Sequence, residues 1–373
     1  MRIALIAPLV SPIAPPYLGG AQTLLADLAA GLARRGHQVT LFAASGSAIP
    51  AVTVRDLGID SSQLTPARFD GPPPPGTVAG ATNLPDPSFF PSAHAFLRVF
   101  SQLQQEVDNF DLVHAHAFDW PAFAYGALIA AQRPMLHTLH LPAVSPSINA
   151  VLRELHQMGN PTRLLTVSRA CANTYVPYAP MHAIIPNGID TDAIPFGPTA
   201  DPEGFLLFAG RITPEKGVVE AIEIARRAGK RLLLAGGIYD AAYMNERVRP
   251  LLTGNVEYLG LRQQADLWRL MSRASALLFP IGWDEPFGLV AAEALAAGCP
   301  VIAFARGALP EILTEGETGF LIPPGNLDAA ARAVARVPAL SRAVCRARAV
   351  QHFSQARMLD EYERVYQEVQ QKM

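Results

Sequence analysis

The sequence predicts an α/β protein of two domains, each with a parallel sheet covered by helices on both faces. Three observations lead to this prediction. A chain of 373 residues is long for a single hydrophobic core. Short, continuously apolar runs alternate with segments of helical periodicity, which is the pattern of parallel sheets buried on both faces. The alternation stops at a turn-rich segment near 186–190 and then begins again.

The first series of elements occupies the amino-terminal half of the chain. Strands are predicted near 2–7, 38–43, 111–114, 134–138, 163–167 and 183–185. Helices are predicted near 20–35, 92–107, 119–131, 145–157 and 168–174. A proline-rich stretch at 61–91 interrupts the rhythm and is predicted to be a surface loop, either functional or a tolerated insertion.

The second series begins after the segment P-N-G-I-D at 186–190, which is the predicted interdomain linker because turn residues cluster there. Strands are predicted near 205–209, 231–235, 255–258, 276–279, 300–304 and 319–322. Helices are predicted near 214–228, 240–250, 262–273, 288–297, 326–336 and 339–350. The predicted domains are therefore 1–186 and 187–353, followed by a terminal helix in 354–373.

The composition excludes several classes of protein. The formal net charge is −2, from 30 basic and 32 acidic residues, so no basic excess points to a nucleic-acid partner. Three scattered cysteines, Cys171, Cys299 and Cys345, do not suit a disulfide framework or a zinc site, and they favour a cytoplasmic protein. The apolar run at 1–8 is too short for a signal peptide or a membrane span and predicts a buried strand. Peripheral membrane contact through a surface helix is compatible with this composition.

Two adjacent glycines, Gly19 and Gly20, lie between the first predicted strand and the first predicted helix. Ligands of such sheets bind beyond the carboxyl ends of the strands, where a helix N-terminus offers free N–H groups to an anion. The pair is a candidate phosphate contact, although a tight turn without a ligand also needs glycine. The dinucleotide fingerprint G-x-G-x-x-G is absent, which argues against an NAD-binding protein.

The segment 210–217, G-R-I-T-P-E-K-G, follows the first strand of the second series and opens a helix. Arg211 offers a planar fork of hydrogen-bond donors and Lys216 a compact charge, and together with a helix N-terminus they suit a diphosphate. The alternative is a solvated turn with two surface cations. The phosphate-loop pattern G-x-x-x-x-G-K-[ST] does not apply, because Lys216 precedes its glycine.

The segment 284–293, D-E-P-F-G-L-V-A-A-E, contains two glutamates with different surroundings. Glu285 lies in the loop after the predicted strand 276–279, and Gly288 starts the next helix, whose first N–H groups can bind a phosphate. Glu293 lies further along that helix among apolar neighbours, where a carboxylate is costly to bury without partners. Ribose hydroxyls would be suitable partners; the alternative is that Glu293 faces solvent or pairs with an arginine.

A pair of histidines, His114 and His116, ends the predicted strand near 111–114. Side chains alternate along a strand, so the two imidazoles face the same way, and His116 lies nearer the carboxyl-end edge. The pair could bind a metal, but no third ligand is evident nearby in the sequence. A histidine at a strand end is more often structural than functional.

Taken together, these four motifs resemble the retaining GT-B glycosyltransferases, in the family that includes bacterial phosphatidylinositol mannosyltransferases and sucrose synthases (glycosyltransferase family 4 type). The resemblance follows the chain in order: glycine loop, H-x-H, N-G-I-D, G-R-x-x-x-x-K-G and E-x7-E. It implies two facing Rossmann-like domains with a cleft between them, and a terminal helix that crosses back to the first domain. The tripeptide Asp190-Thr191-Asp192 matches the metal signature of another glycosyltransferase architecture and is interpreted as coincidence.

The resemblance also implies roles for the matched residues. Arg211 and Lys216 would hold a diphosphate, Glu285 the sugar hydroxyls and Glu293 the ribose, while His116 would contact the transferred sugar. The implied catalytic residues are His116, Arg211, Lys216 and Glu285. The implied donor-binding residues are Gly19, Gly20, Gly210, Phe287, Gly288, Leu289 and Glu293.

The implied activity is retaining transfer of a sugar from a UDP- or GDP-linked donor, without a metal or another cofactor. The acceptor, whether a glycan, a lipid or a small metabolite, does not follow from the sequence. Alternatives are a nucleotide-sugar epimerase or a sugar phosphorylase on the same fold, and a non-catalytic nucleotide-binding homologue.

Overall fold

A computed structural model describes residues 1–15, 17, 20–64 and 89–371. Most of the proline-rich stretch predicted as a loop, residues 65–88, lies outside the described residues. The chain divides into two compact units. Unit 1 comprises Met1–Val167, Cys171–Ile185 and Leu359–Met373, and unit 2 comprises Ser168–Ala170 and Pro186–Met358.

The described strands of unit 1 form one parallel sheet of seven, in the order β3-β2-β1-β4-β5-β6-β7. The strands are β1 Arg2–Ile6, β2 Gln38–Ala43, β3 Thr53–Asp56, β4 Leu112–Ala115, β5 Met135–Leu139, β6 Arg163–Thr166 and β7 Ala183–Ile184. The helices along this part of the chain are α1 Gly20–Arg34, α2 Phe89–Gln105, α3 Trp120–Ile129, α4 Pro146–Gln157 and α5 Arg169–Tyr175. The central strands are buried because apolar helices cover the sheet.

The edge strand β3 was not predicted from the sequence. Its residues, T-V-R-D, include no apolar run, and none of them is buried. An edge strand pairs on one side only, so its side chains can stay in solvent, and backbone hydrogen bonding to β2 forms it without an apolar signal.

The sheet of unit 2 has six parallel strands in the order β10-β9-β8-β11-β12-β13. The strands are β8 Phe205–Ala209, β9 Arg231–Ala235, β10 Val256–Gly260, β11 Ala276–Phe279, β12 Val301–Phe304 and β13 Gly319–Ile322. The helices are α6 Val218–Arg227, α7 Ala241–Tyr243, α8 Gln264–Arg273, α9 Leu289–Ala296, α10 Leu309–Ile312, α11 Leu327–Val334 and α12 Arg342–Phe353. The predicted α/β class with two parallel sheets is thereby confirmed.

Two predicted helices of unit 2 differ from the observed ones. The helix predicted at 214–228 is a short 3₁₀ turn, Pro214–Lys216, followed by α6, because Gly217 between them has a left-handed φ of 75°. A Cβ at Gly217 would lie 2.0 Å from the carbonyl oxygen of Pro280, so only glycine fits there. The helix predicted at 240–250 consists of α7, a π-helical turn and a 3₁₀ turn in succession.

The last helix, α13 Gln355–Gln371, runs from unit 2 into unit 1. Its first residues stay in unit 2, where Ile189 and Ser354 form a parallel bridge. Within unit 1 its buried residues recur at helical spacing, as expected for one face of an amphipathic helix. These residues are Leu359, Tyr362, Val365, Tyr366 and Val369.

An arginine on α12 donates hydrogen bonds to three backbone carbonyl groups of unit 2. The guanidinium of Arg342 donates to the carbonyl oxygens of Gly197 (2.6 Å), Ala274 (2.8 Å) and Ser272 (2.7 Å). Hydrogen bonds from a charged donor are stronger than neutral ones, and they satisfy carbonyl groups at the end of α8 that lack helical partners. Arg342 therefore acts as a structural cross-link rather than as a surface charge.

We expect Arg342→Met to lower the free energy of unfolding by at least about 2 kcal/mol, because partly buried carbonyl oxygens lose their donors. Arg227→Met is the matched control, since the pair that Arg227 forms with Asp328 (2.8 Å) is exposed and its loss should cost under about 1 kcal/mol. Urea unfolding of both variants measures the difference. Equal stability of the two variants would contradict the structural role of Arg342.

Candidate functional site

The turn after β8 presents Arg211 at the surface. The Arg211 side chain is 48% exposed, and its Nη2 lies 3.5 Å from Oε1 of Glu215. The guanidinium also lies over the ring of Tyr239, 5.5 Å from the ring centroid. This is a long ion pair in a half-exposed setting, so the donors of Arg211 remain available to an anion.

Lys216 and Glu285, which are far apart in the sequence, meet in unit 2. Lys216 Nζ donates to Oε2 of Glu285 at 2.9 Å, and each side chain is only 14% exposed. The indole Nε1 of Trp283 donates to the same oxygen at 2.8 Å. Lys216 Nζ also lies 5.2 Å above the Trp283 ring. The ammonium group that was predicted to hold a diphosphate is therefore engaged with a carboxylate.

The loop that carries Glu285 is held through its backbone from two sides. The N–H of Gly282 donates to the carbonyl of Glu215 (2.8 Å), and the N–H of Ala308 donates to the carbonyl of Glu285 (2.9 Å). A Cβ at Gly307 would lie 2.3–2.4 Å from the backbone oxygen and nitrogen of Glu285. Because both sides of the loop are fixed, the Glu285 carboxylate is oriented before any ligand binds.

Helix α9 begins directly after this loop. Gly288 precedes it with φ 102°, and Leu289 is its first residue, so the first N–H groups of the helix lack helical acceptors. The Phe287 side chain is 3% exposed and packs edge-on against Phe353, 5.7 Å between ring centroids. Phe287 is thus a core side chain, and only its backbone can serve the donor contact predicted for it.

Glu293 is 9% exposed on α9. Its Oε1 accepts a hydrogen bond from Nε2 of Gln264, the first residue of α8, at 3.2 Å. The buried carboxylate is therefore held by a neutral amide. An ionised carboxylate accepts several hydrogen bonds, so this contact is compatible with a further hydroxyl partner.

Sequence reasoning missed Trp283, Gln264 and Tyr239. Tyr239 is 55% exposed and follows Gly236 and Gly237 at the end of β9. A Cβ at Gly236 would lie 1.7 Å from the carbonyl oxygen of Gly210. The segments that follow β8 and β9 can therefore come this close only because residue 236 has no side chain. The two consecutive glycines at the strand end are the signal that could have pointed to this segment.

The predicted histidine pair lies in unit 1. The ring centroids of His114 and His116 are 4.1 Å apart. His114 is satisfied on both sides, by Tyr366 Oη at 2.7 Å from Nδ1 and by Thr138 Oγ1 at 2.8 Å from Nε2. His116 Nδ1 lies 2.9 Å from Nε2 of His140, whereas its Nε2 is buried and has no partner among the described residues. His114 is therefore structural, and His116 has one unused ring nitrogen.

Burial keeps these imidazoles neutral. Burial lowers the pKa of His114 and His116 well below 6.5, and it lowers the pKa of His137 and His140 to about 4. His137 Nε2 donates to the carbonyl oxygen of Ala117 at 2.5 Å. At neutral pH the cluster therefore supplies hydrogen bonds and no positive charge.

The remaining predicted residues are placed as follows. Gly20 is the first residue of α1, and Gly19 lies outside the described residues. In the D-x-D tripeptide, Oδ1 of Asp190 accepts from the backbone N–H groups of Asp192 (3.2 Å) and Ala193 (3.1 Å), which makes it a turn residue. Within the described ranges, no three His, Cys, Asp or Glu side chains are grouped to hold a metal. None of the helices described is long and apolar enough to cross a membrane.

Two protein-family models match the chain in succession. The model described as Glycosyltransferase Family 4 matches residues 18–193, and the model described as Glycosyl transferases group 1 matches residues 190–349. Among similar proteins is the phosphatidyl-myo-inositol mannosyltransferase of Mycobacterium tuberculosis (strain ATCC 25618 / H37Rv). It is 28% identical over 94% of this chain and 90% of its own length.

Solved structures share the fold over the whole chain. Sucrose-phosphate synthase from Thermosynechococcus elongatus has a TM-score of 0.75 and 21% identity, and the match covers 100% of both chains. Anabaena HepE in complex with UDP-glucose has a TM-score of 0.69 and 20% identity, and the match covers 99% of this chain and 100% of its own. These likenesses concern the fold, and they agree with the α/β architecture described above.

The buried histidines predict that the protein loses stability in mild acid. Unfolded histidines bind protons below about pH 6.5, while His137 and His140 bind them only near pH 4 in the folded protein. Between these values the unfolded chain binds more protons, so the free energy of unfolding should fall as pH falls, by up to about 1.4 kcal/mol per pH unit for each histidine. Asp119, whose pKa burial raises to about 6, works in the opposite direction below pH 6 and offsets one histidine.

Urea unfolding at several pH values between 7 and 4.5 measures the slope of the free energy of unfolding against pH. His137→Phe should flatten it, because the phenyl ring keeps the stacking on Phe123 (3.9 Å between centroids) and binds no proton. His156→Gln, at an exposed position on α4, should leave it unchanged. A free energy of unfolding that stays constant or rises as the pH falls would contradict the assignment of neutral, buried histidines.

Proposed function

This chain belongs to the GT-B glycosyltransferases that the group 1 and family 4 models describe, and we propose that its donor is a nucleoside-diphosphate sugar. The sugar passes to an acceptor hydroxyl with retention of configuration and without a metal ion. The UDP-glucose in the HepE complex and the mannosyl transfer named for the Mycobacterium protein support a UDP- or GDP-linked hexose. The acceptor is a glycan, a lipid or a small metabolite, and a lipid would require peripheral membrane contact.

The observation that carries this proposal is the set of charges at one edge of the unit 2 sheet. Strands β8 and β11 are neighbours, so the turn after β8 and the loop after β11 emerge side by side at their carboxyl ends. They bring Arg211, Lys216 and Glu285 to that edge, where α9 also begins. Two cations and free N–H groups suit a diphosphate, and one fixed carboxylate suits sugar hydroxyls.

Stabilisation of the leaving group is the main catalytic task in this reaction. Breaking the anomeric C–O bond places negative charge on the departing diphosphate. In the proposed reaction Arg211, Lys216 and the first N–H groups of α9 meet that charge, so no metal ion is needed. Removing one preorganised donor of this kind typically costs about 100- to 1000-fold in turnover.

Retention is proposed by similarity to the family. The acceptor hydroxyl attacks the anomeric carbon on the face from which the diphosphate leaves, and the leaving phosphate oxygen takes the acceptor proton. In this scheme Glu285 binds the sugar hydroxyls and does not act as a nucleophile. The two-carboxylate scheme of glycosidases therefore does not apply. The resemblance to the family also assigns His116 to the transferred sugar, and its imidazole is neutral because burial lowers its pKa.

A donor panel tests the proposed function. We expect the chain to hydrolyse one of UDP-glucose, UDP-galactose, UDP-N-acetylglucosamine and GDP-mannose slowly without an acceptor, and equally well with EDTA. Loss of activity in EDTA that manganese restores would contradict the metal-independent scheme, and a product of inverted configuration would contradict retention. Release of an epimerised donor would indicate an epimerase, and nucleotide binding without any turnover would indicate a non-catalytic homologue.

We expect the donor-site residues to divide into two groups. Arg211→Ala and Glu293→Gln should weaken UDP or GDP binding, by about 10- to 100-fold for the arginine, because a charge-assisted contact is worth roughly 1.5–3 kcal/mol. Glu285→Gln should lower kcat more than nucleotide affinity, because its carboxylate serves the sugar. Calorimetry with UDP and GDP, together with donor hydrolysis, measures both effects.

Arg227→Ala, which removes an exposed cation on α6, is the control for the general loss of positive charge. If Glu293→Gln changes only the melting temperature, the ribose role of Glu293 is wrong and its bond to Gln264 is purely structural. If none of the three donor-site variants alters binding or turnover, the donor site lies elsewhere.

A further inference from the structure

Oxygen Oε2 of Glu285 is shared by two donors of different kinds. Lys216 Nζ is an ammonium cation 2.9 Å away, and Trp283 Nε1 is a neutral indole N–H 2.8 Å away. An ionised carboxylate has room for both on one oxygen. Neither of these two bonds involves Oε1, the other carboxylate oxygen of Glu285.

The two donors respond differently to a second anion. Lys216 is also assigned to the leaving diphosphate, so growing negative charge there attracts the ammonium away from Glu285. An ammonium on a flexible stem can follow that charge, whereas an indole N–H carries no net charge and sits on a rigid ring. Trp283 is therefore the donor that can keep Glu285 in place while Lys216 turns to the phosphate.

The position of Trp283 is fixed by its own loop. The preceding residue, Gly282, donates its N–H to the Glu215 carbonyl (2.8 Å), and its carbonyl accepts from Arg306 Nη1. Arg306 Nε also lies 3.4 Å from Oδ1 of Asp284, the residue after Trp283. The indole is thus presented from a segment that is held through the backbone of Gly282 before it and through the side chain of Asp284 after it, as a positioning residue requires.

We propose that Trp283 is a positioning residue for the transferase reaction. It holds the Glu285 carboxylate on the sugar hydroxyls independently of Lys216, which frees the lysine ammonium to meet the charge of the leaving diphosphate. This inference rests on the proposed nucleotide-sugar donor. A purely structural Trp283 would instead only pack its ring beside Lys216 of the β8 turn.

Trp283→Phe tests the proposal, because phenylalanine keeps an aromatic ring and removes the N–H. We expect kcat for donor hydrolysis to fall about 10- to 100-fold, as for a hydrogen bond to a charged group, while the dissociation constant of UDP or GDP changes less than about threefold. Trp268→Phe is the matched control, since the buried indole N–H of Trp268 has no hydrogen-bond partner within the described residues. It should leave both kcat and nucleotide affinity unchanged.

A double-mutant cycle with Glu285→Gln separates positioning from structural loss. If Trp283 acts through Glu285, Trp283→Phe should have little further effect on kcat in the Glu285→Gln background, whereas a packing defect would lower kcat equally in both backgrounds. A wild-type kcat in Trp283→Phe, or additive effects in the cycle, would overturn the inference and leave the proposed function intact. Absence of turnover of every donor by the wild-type chain would overturn both.

Discussion

The ion pair between Lys216 and Glu285 is the interaction on which the rest of the unit 2 site depends. It joins the turn after β8 to the loop after β11, with both side chains largely removed from solvent. A partly buried charge that loses its partner is costly, so each residue constrains the other. The indole of Trp283 donates to the same carboxylate oxygen as Lys216 and makes this a three-membered arrangement.

Backbone proximity makes that arrangement possible. At the carboxyl ends of the strands in unit 2, three of the glycines lie where a Cβ would collide with a neighbouring main chain: Gly217 against Pro280, Gly236 against Gly210, and Gly307 against Glu285. Each contact brings the loops at the end of one strand against those of another. Lys216 and Glu285 can therefore lie close to each other and largely out of contact with solvent.

The sequence was sufficient to predict both sheets and most of the polar residues at the strand ends, because continuous apolar runs mark buried parallel strands and charged residues after them stand out. It was insufficient for β3, whose polar residues form a strand only through pairing with β2. It also could not reveal Trp283 or Gln264 as partners of the two glutamates. The contact between Trp283 and Glu285 depends on the conformation of a single loop, and the contact between Gln264 and Glu293 depends on the packing of α8 beside α9. Side-chain periodicity encodes neither.

The passage of α13 from unit 2 into unit 1 has a consequence for how the chain folds during synthesis. Unit 1 contains the first residues of the chain and also Tyr362 and Tyr366, whose rings lie against His114. During synthesis, the residues of the amino-terminal sheet leave the ribosome before Tyr362 and Tyr366 are made. Residues 186–358 of unit 2, in contrast, form one continuous segment. Folding from the amino terminus alone therefore leaves unit 1 with an open core, and unit 2 can complete its own sheet first.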